Sequence, residues 1–189
     1  MSSKLTTARS IIDEPGRGRV EVWPIKTDED TLWLLLQEVF QGHWQTIRFG
    51  TMVPGAVWEI RAPNAPTRVS LLDGYATVDF GAWHFHICIG NYTGIDAALA
   101  AQRRTSRAEF YRIVNAQDEP KSWGLRLFSQ AGDQQLTVFL PNPFIHDDGW
   151  ITGAPNWEKL AAWDALRGDF LGMLPDPIDR SARKASCSS

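Results

Sequence analysis

Cysteine is scarce in this chain, with two residues in 189, Cys88 and Cys187. Two cannot make a disulfide framework. Cys187 sits in a Ser-rich tail, so a bridge to Cys88 is not expected in a reducing compartment. An excess of one charge is lacking too: 19 Lys and Arg against 22 Asp and Glu leave a net charge of −3. That balance supplies no basic face to neutralise phosphates, which argues against a general nucleic-acid binder. No apolar run is long. "LWLLL" at 32–36 falls far short of the ~20 residues needed to cross a bilayer, and "MSSKLTTARSIIDEPGRGR" lacks the continuous apolar core of a secretory signal. These absences predict a cytoplasmic protein that engages neither nucleic acid nor membrane. Also missing are the compact reaction signatures GxSxG, HExxH, CxxC, the P-loop and the EF-hand. No motif fixes a reaction, or decides whether the chain is an enzyme.

What is plentiful is large rings, with nine Trp, nine Phe and three Tyr. Such rings enlarge a core, and they also wall sites for flat or apolar ligands. The length suits one domain. Residues 1–18 read as a flexible N-terminal segment, 19–175 as a single α+β domain and 176–189 as a flexible tail, because both ends are polar and carry Pro, Gly or Ser.

Periodicity outlines the elements. "RVEVWPI" alternates as a strand. Thr27 then offers an N-cap, Asp28, Glu29 and Asp30 a negative first turn, and Leu32, Trp33, Leu35, Leu36, Val39 and Phe40 recur at helical spacing. This predicts a helix over 28–41 stopped by Gly42. From 45 to 90 the period falls to two, and Asp73-Gly74 marks a hairpin, because both positions tolerate positive φ. A second helix is expected at about 95–115, a hairpin around "QAGDQ", and a last helix at about 156–173 capped by Asn156. The order lacks strict βαβ alternation, so the fold is expected to be α+β: a mainly antiparallel sheet with two or three helices packed largely on one face.

The stretch "AWHFHICIG", residues 82–90, holds half of the four histidines. Strand side chains alternate, so Trp83, Phe85, Ile87 and Ile89 share one face while His84, His86 and Cys88 share the other. The first face is core. The second offers three groups that can bind a metal or exchange protons, and His84, His86 and Cys88 are the candidate catalytic residues. A transition metal needs three or four ligands. "FIHDDGW", inside a Pro- and Gly-punctuated loop at 141–156, could complete a set of His84, His86, His146 and Asp148 around a divalent transition metal. The plain alternative is that these imidazoles only hydrogen-bond to neighbouring strands, and that Cys88 is a small buried hydrophobe.

A second cluster is "AAQRRTSRAEFYR". On the helix expected there, stepping about 100° per residue puts Arg103 inside the apolar stripe, with Arg107 and Tyr111 along its edge. A guanidinium so placed needs a carboxylate, a ring face or an anionic ligand. Arg103, Arg107 and Tyr111 are therefore the candidate ligand-binding residues. The "GNYTG" link at 90–94 joins the histidine strand to this helix, and free N–H groups at the helix start could hold an anion.

The leading expectation is a cytoplasmic small-molecule-binding protein, in enzyme form a metal-assisted one acting on a small anionic ligand. The alternatives are a non-catalytic binding protein for a flat cofactor such as haem, with a histidine as axial ligand, or a structural protein with no ligand.

Overall fold

The computed structural model describes residues 9–146, 149–150 and 154–182. In chain order these form β1 (Ser10–Glu14), β2 (Gly18–Ile25), α1 (Glu29–Gln37), β3 (Arg48–Gly50), β4 (Met52–Val53) and β5 (Ala56–Val57). Next come β6 (Arg68–Leu72), β7 (Tyr75–Asp79), β8 (His84–Cys88), α2 (Ala97–Arg103), β9 (Thr105–Val114), β10 (Pro120–Ser129) and β11 (Gln134–Phe139). The two-residue strands β12 (Ile145–His146) and β13 (Gly149–Trp150) precede α3 (Ala161–Leu171). Short 3-10 turns lie at Trp157–Leu160 and Pro177–Arg180. The protein is α+β, with antiparallel sheets and three α-helices among the described residues. The main sheet runs β1-β2-β9-β10-β11-β3, and β6-β7-β8 form a second sheet.

The chain makes two compact units, one of Met1–Pro24, Phe110–Gly124 and Leu140–Ser189, the other of Ile25–Glu109 and Leu125–Phe139. In the first, Val20 and Val22 pack on Tyr111, while Trp23 and Phe110 meet the buried Trp163 edge-on at 5.7 and 5.9 Å between ring centroids. In the second, α1 buries Leu32, Leu35 and Leu36, and Phe40, Phe49, Phe80, Trp83 and Phe85 form one aromatic cluster. Among the described residues, ten of the 21 rings counted in the sequence are buried in these cores, where edge-to-face pairs are favourable.

Local signals account for several boundaries. Asp73 and Gly74 both take positive φ, 46° and 75°, and join β6 to β7 in the register Leu72↔Tyr75. Asn156 accepts from Glu158 N at 3.2 Å, and Gly172 ends α3 with φ 65°, the left-handed C-terminal stop that glycine allows. The first helix is capped by Asp28, not Thr27: the Asp28 carboxylate accepts from Thr31 N at 2.9 Å. It continues through Glu38–Gly42 as a π-helical turn.

Two expectations are corrected. The helix expected over 95–115 stops at Arg103, because Arg104 already has extended geometry, φ −64° and ψ 141°. Thr105–Val114 is strand β9, flanked by β2 and β10. A central strand buried on both faces does not alternate cleanly, so its apolar positions also fit a helical stripe. Regular structure also begins before Arg19: β1 pairs with β2 in the register Ser10↔Val22. At the other end, Asp179 is fully buried.

Candidate functional site

Strand β8 carries the histidine face as the alternation requires. It pairs with β7 so that Tyr75 faces Cys88, Thr77 faces His86 and Asp79 faces His84. The His84 and His86 rings meet edge-on, 4.9 Å between centroids, and both side chains are exposed. His86 Nδ1 lies 2.7 Å from Thr77 Oγ1, so one ring nitrogen is already engaged. Asp79 is engaged as well, accepting from Gly81 N at 2.8 Å and standing 3.7 Å from Arg68. Cys88, on the same face, is buried instead. Burial pushes its thiol up, against a hydrogen bond from Tyr75 and the positive charge of Arg104. At neutral pH it is a thiol, a poor nucleophile and a poor metal ligand.

Among the described residues no three His, Cys, Asp or Glu side chains converge to hold a metal ion. His84 and His86 are together; His146 belongs to β12, in the other compact unit. Asp148 lies outside the described residues.

The arginine cluster is dispersed by the change from helix to strand. Arg103, at the end of α2, is exposed rather than set in an apolar stripe. Arg107 on β9 is exposed too, its guanidinium 3.6 Å above the centre of the Phe128 ring, a cation–π contact. Tyr111 is buried, with Arg17 over its ring at 5.8 Å. Arg112 is fully buried in an ion-pair network with Glu21, Asp176 and Asp179. The amides at the start of α2 are not free to hold an anion. Asp96 accepts from Ala98 N and Leu99 N at 3.0 and 3.3 Å.

What the region does build is a cavity of about 570 Å³ between the link after β8, α2 and the first residues of β9. Small-molecule sites commonly measure about 300–1,000 Å³. Ala97, Ala100 and Ala101 form one wall. Their i, i+3, i+4 spacing sets three methyl side chains on one helix face, which leaves room where longer chains would fill it. The polar wall holds Arg104, Asn91, Thr105, Ser106 and Gln130. Arg104 donates to Asn91 Oδ1 at 3.1 Å. The Thr105 hydroxyl lies 2.9 Å from Cys88 O and 2.8 Å from Gln135 Oε1, which fixes the start of β9 against the end of β8. Gln130 N donates to Arg104 O at 2.9 Å and so ties the β10–β11 turn to the same corner. Tyr92 packs edge-on against Tyr75, 5.1 Å between centroids.

Arg104 is therefore the cavity's cation, and sequence reasoning passed it over. On a continuous helix it lies about 100° from Arg103 and outside the apolar stripe. Once the chain turns extended at 104, it joins the cavity. The alanine face of "AALAAQR" was the signal available in the sequence.

The chain belongs to a family of unknown function (DUF7676), whose model matches residues 9–172. No curated protein matches it. Among solved structures, "Crystal structure of ChuX" is similar at 14% identity and a TM-score of 0.49, over 82% of this chain and 78% of that one. "Structure of the Heme Binding Protein ChuX" is similar at 16% identity and a TM-score of 0.46, over 79% and 76%. No helix among the described residues is long and apolar enough to cross a membrane.

Proposed function

We propose that this protein binds a small anionic molecule in the cavity beside α2, with Arg104 as the cation that recognises it. The observation that carries the reading is a guanidinium on the wall of a 570 Å³ cavity otherwise faced by alanines and neutral hydrogen-bonding side chains. An arginine fork matches a carboxylate or phosphate group. Thr105, Ser106, Asn91 and Gln130 can serve the ligand's remaining polar atoms, and the alanine wall accepts an apolar body. The reading is one of binding and needs no metal.

The test is a thermal-shift and calorimetric screen of small carboxylates and phosphates against the protein and its Arg104→Ala and Ala101→Leu variants. A hydrogen bond to a charged group contributes about 1.5–3 kcal/mol, so Arg104→Ala should weaken a hit by roughly ten- to a hundred-fold. Ala101→Leu should weaken it by filling the cavity. A hit that binds both variants as tightly as the parent would refute the reading.

A second reading rests on the exposed His84–His86 pair. Imidazoles reachable from solvent can act as axial ligands to a haem iron. Titration with haem should then give a Soret shift that His84→Ala or His86→Ala alters. A spectrum indifferent to both substitutions would remove this reading.

A further inference from the structure

The compact unit made of residues 1–24, 110–124 and 140–189 contains a second constellation, which the binding reading does not use. Asp179 is fully buried, and its carboxylate accepts four hydrogen bonds. Oδ1 takes Arg112 Nη1 and Trp123 Nε1, each at 2.7 Å. Oδ2 takes Trp163 Nε1 at 2.8 Å and Arg167 Nη1 at 3.2 Å. Four donors match the four lone-pair directions of a carboxylate. They are also held from behind. Glu21 accepts from Arg112 Nε at 2.6 Å, and the Arg167 guanidinium lies 4.6 Å from the ring centres of both Trp23 and Trp163. Arg167 Nε, buried, has no hydrogen-bond partner among the described residues.

The residue that fills this cage comes from a segment with little other hold. Leu174 is 86% exposed and Ile178 46%, so within the segment itself apolar burial is slight, and the small Ala182, just beyond it, is the apolar side chain that joins the core. The attachments are mostly polar: Asp176 to Arg112 at 3.1 Å, Asp179 to the cage, and Arg180 to Asp164 at 2.5 Å. All four cage donors fall within the residues that the family's model matches, 9–172, and Asp176 and Asp179 fall beyond them.

We propose that Arg112, Arg167, Trp123 and Trp163 form a carboxylate-binding cage, which Asp179 fills in cis, so that residues 176–180 are a displaceable strap over a site for a carboxylate-bearing ligand. The ligand's carboxylate takes the place of the Asp179 oxygens on the same four donors, and the strap leaves because few apolar contacts retain it. The site is independent of the Arg104 cavity.

The experiment uses the full chain carrying Asp179→Gly, with acetate and formate as probes and chloride at equal ionic strength as control. Expected are a lowered melting temperature and a shifted tryptophan emission, both restored saturably by acetate or formate and not by chloride. No restoration, or equal restoration by chloride, overturns the proposal. If Asp179→Gly gives no folded protein, Asp179→Asn, which keeps the volume and brings an N–H₂ against the donors, is examined by limited trypsin digestion. Cleavage after Arg180 should be at least ten-fold faster than in the parent, with the fold retained. Unchanged cleavage overturns the strap.

Discussion

Arg112 shows how much a single side chain can carry. It is fully buried and pairs with Glu21, Asp176 and Asp179. Burial disfavours its charge, yet Asp179 and then Glu21 outweigh that and hold its guanidinium above the ordinary value. Neighbouring Arg167 goes the other way: its burial is the larger effect, and Arg112 adds like-charge repulsion. Removing one partner of a buried ionic network leaves the others uncompensated, at a cost of about 3–5 kcal/mol. Arg112→Ala should therefore lower the unfolding free energy by about that much in urea titration. Arg112→Lys should recover only part of it, because an ammonium cannot present the same fork. By contrast, Arg104→Ala should leave stability nearly unchanged while it weakens ligand binding. That difference separates an arginine on which the fold depends from one on which it does not.

At the scale of elements, α2 has seven residues, too few to be stable in isolation. It depends on its Asp96 cap and on Gln135, whose amide donates to Arg103 O at 2.9 Å. Replacing a capping Asp by Ala typically costs about 1 kcal/mol. Asp96→Ala should produce a loss of that size in chemical denaturation, and weaken any ligand of the Arg104 cavity, since Ala97, Ala100 and Ala101 ride on the same helix. The link before α2 is equally constrained. A Cβ on Gly90 would run into the Glu29 carboxylate, so the chain passes α1 closely there.

At the scale of the whole molecule, stability should depend on acid. Asp176 is held below the ordinary carboxylate value of 3.8: burial pushes it up, but the Ile178 backbone N–H and Arg112 outweigh that. Asp28 is lowered as well, chiefly by the backbone N–H and the hydroxyl of Thr31. A carboxyl whose folded value is depressed stabilises the fold above its unfolded value and loses that contribution as pH falls through the folded one. The contribution is complete above roughly pH 5 and declines below about pH 4. Urea midpoints measured from pH 7 down to 3 should fall in that window, and the fall should be shallower in Asp176→Asn.

The sequence by itself determined what local chemistry and periodicity control. That covers the α+β class, the Asp73-Gly74 hairpin, the stop of α3 at Gly172, and the two faces of "WHFHICI", with Phe85 and Ile87 inward and His84 and His86 outward. These follow from φ preference, capping and two-residue alternation, which act within a few residues. Tertiary structure alone decided the rest. Thr105–Val114 became a strand because it lies between β2 and β10, a pairing that local pattern cannot encode. That one switch exposed Arg103 and Arg107, carried Arg112 into a network with residues 91 and 67 positions away, and left Arg104 on a cavity. Contacts over such separations depend on which strands meet, and hydrophobic pattern is blind to that in a segment buried on both sides.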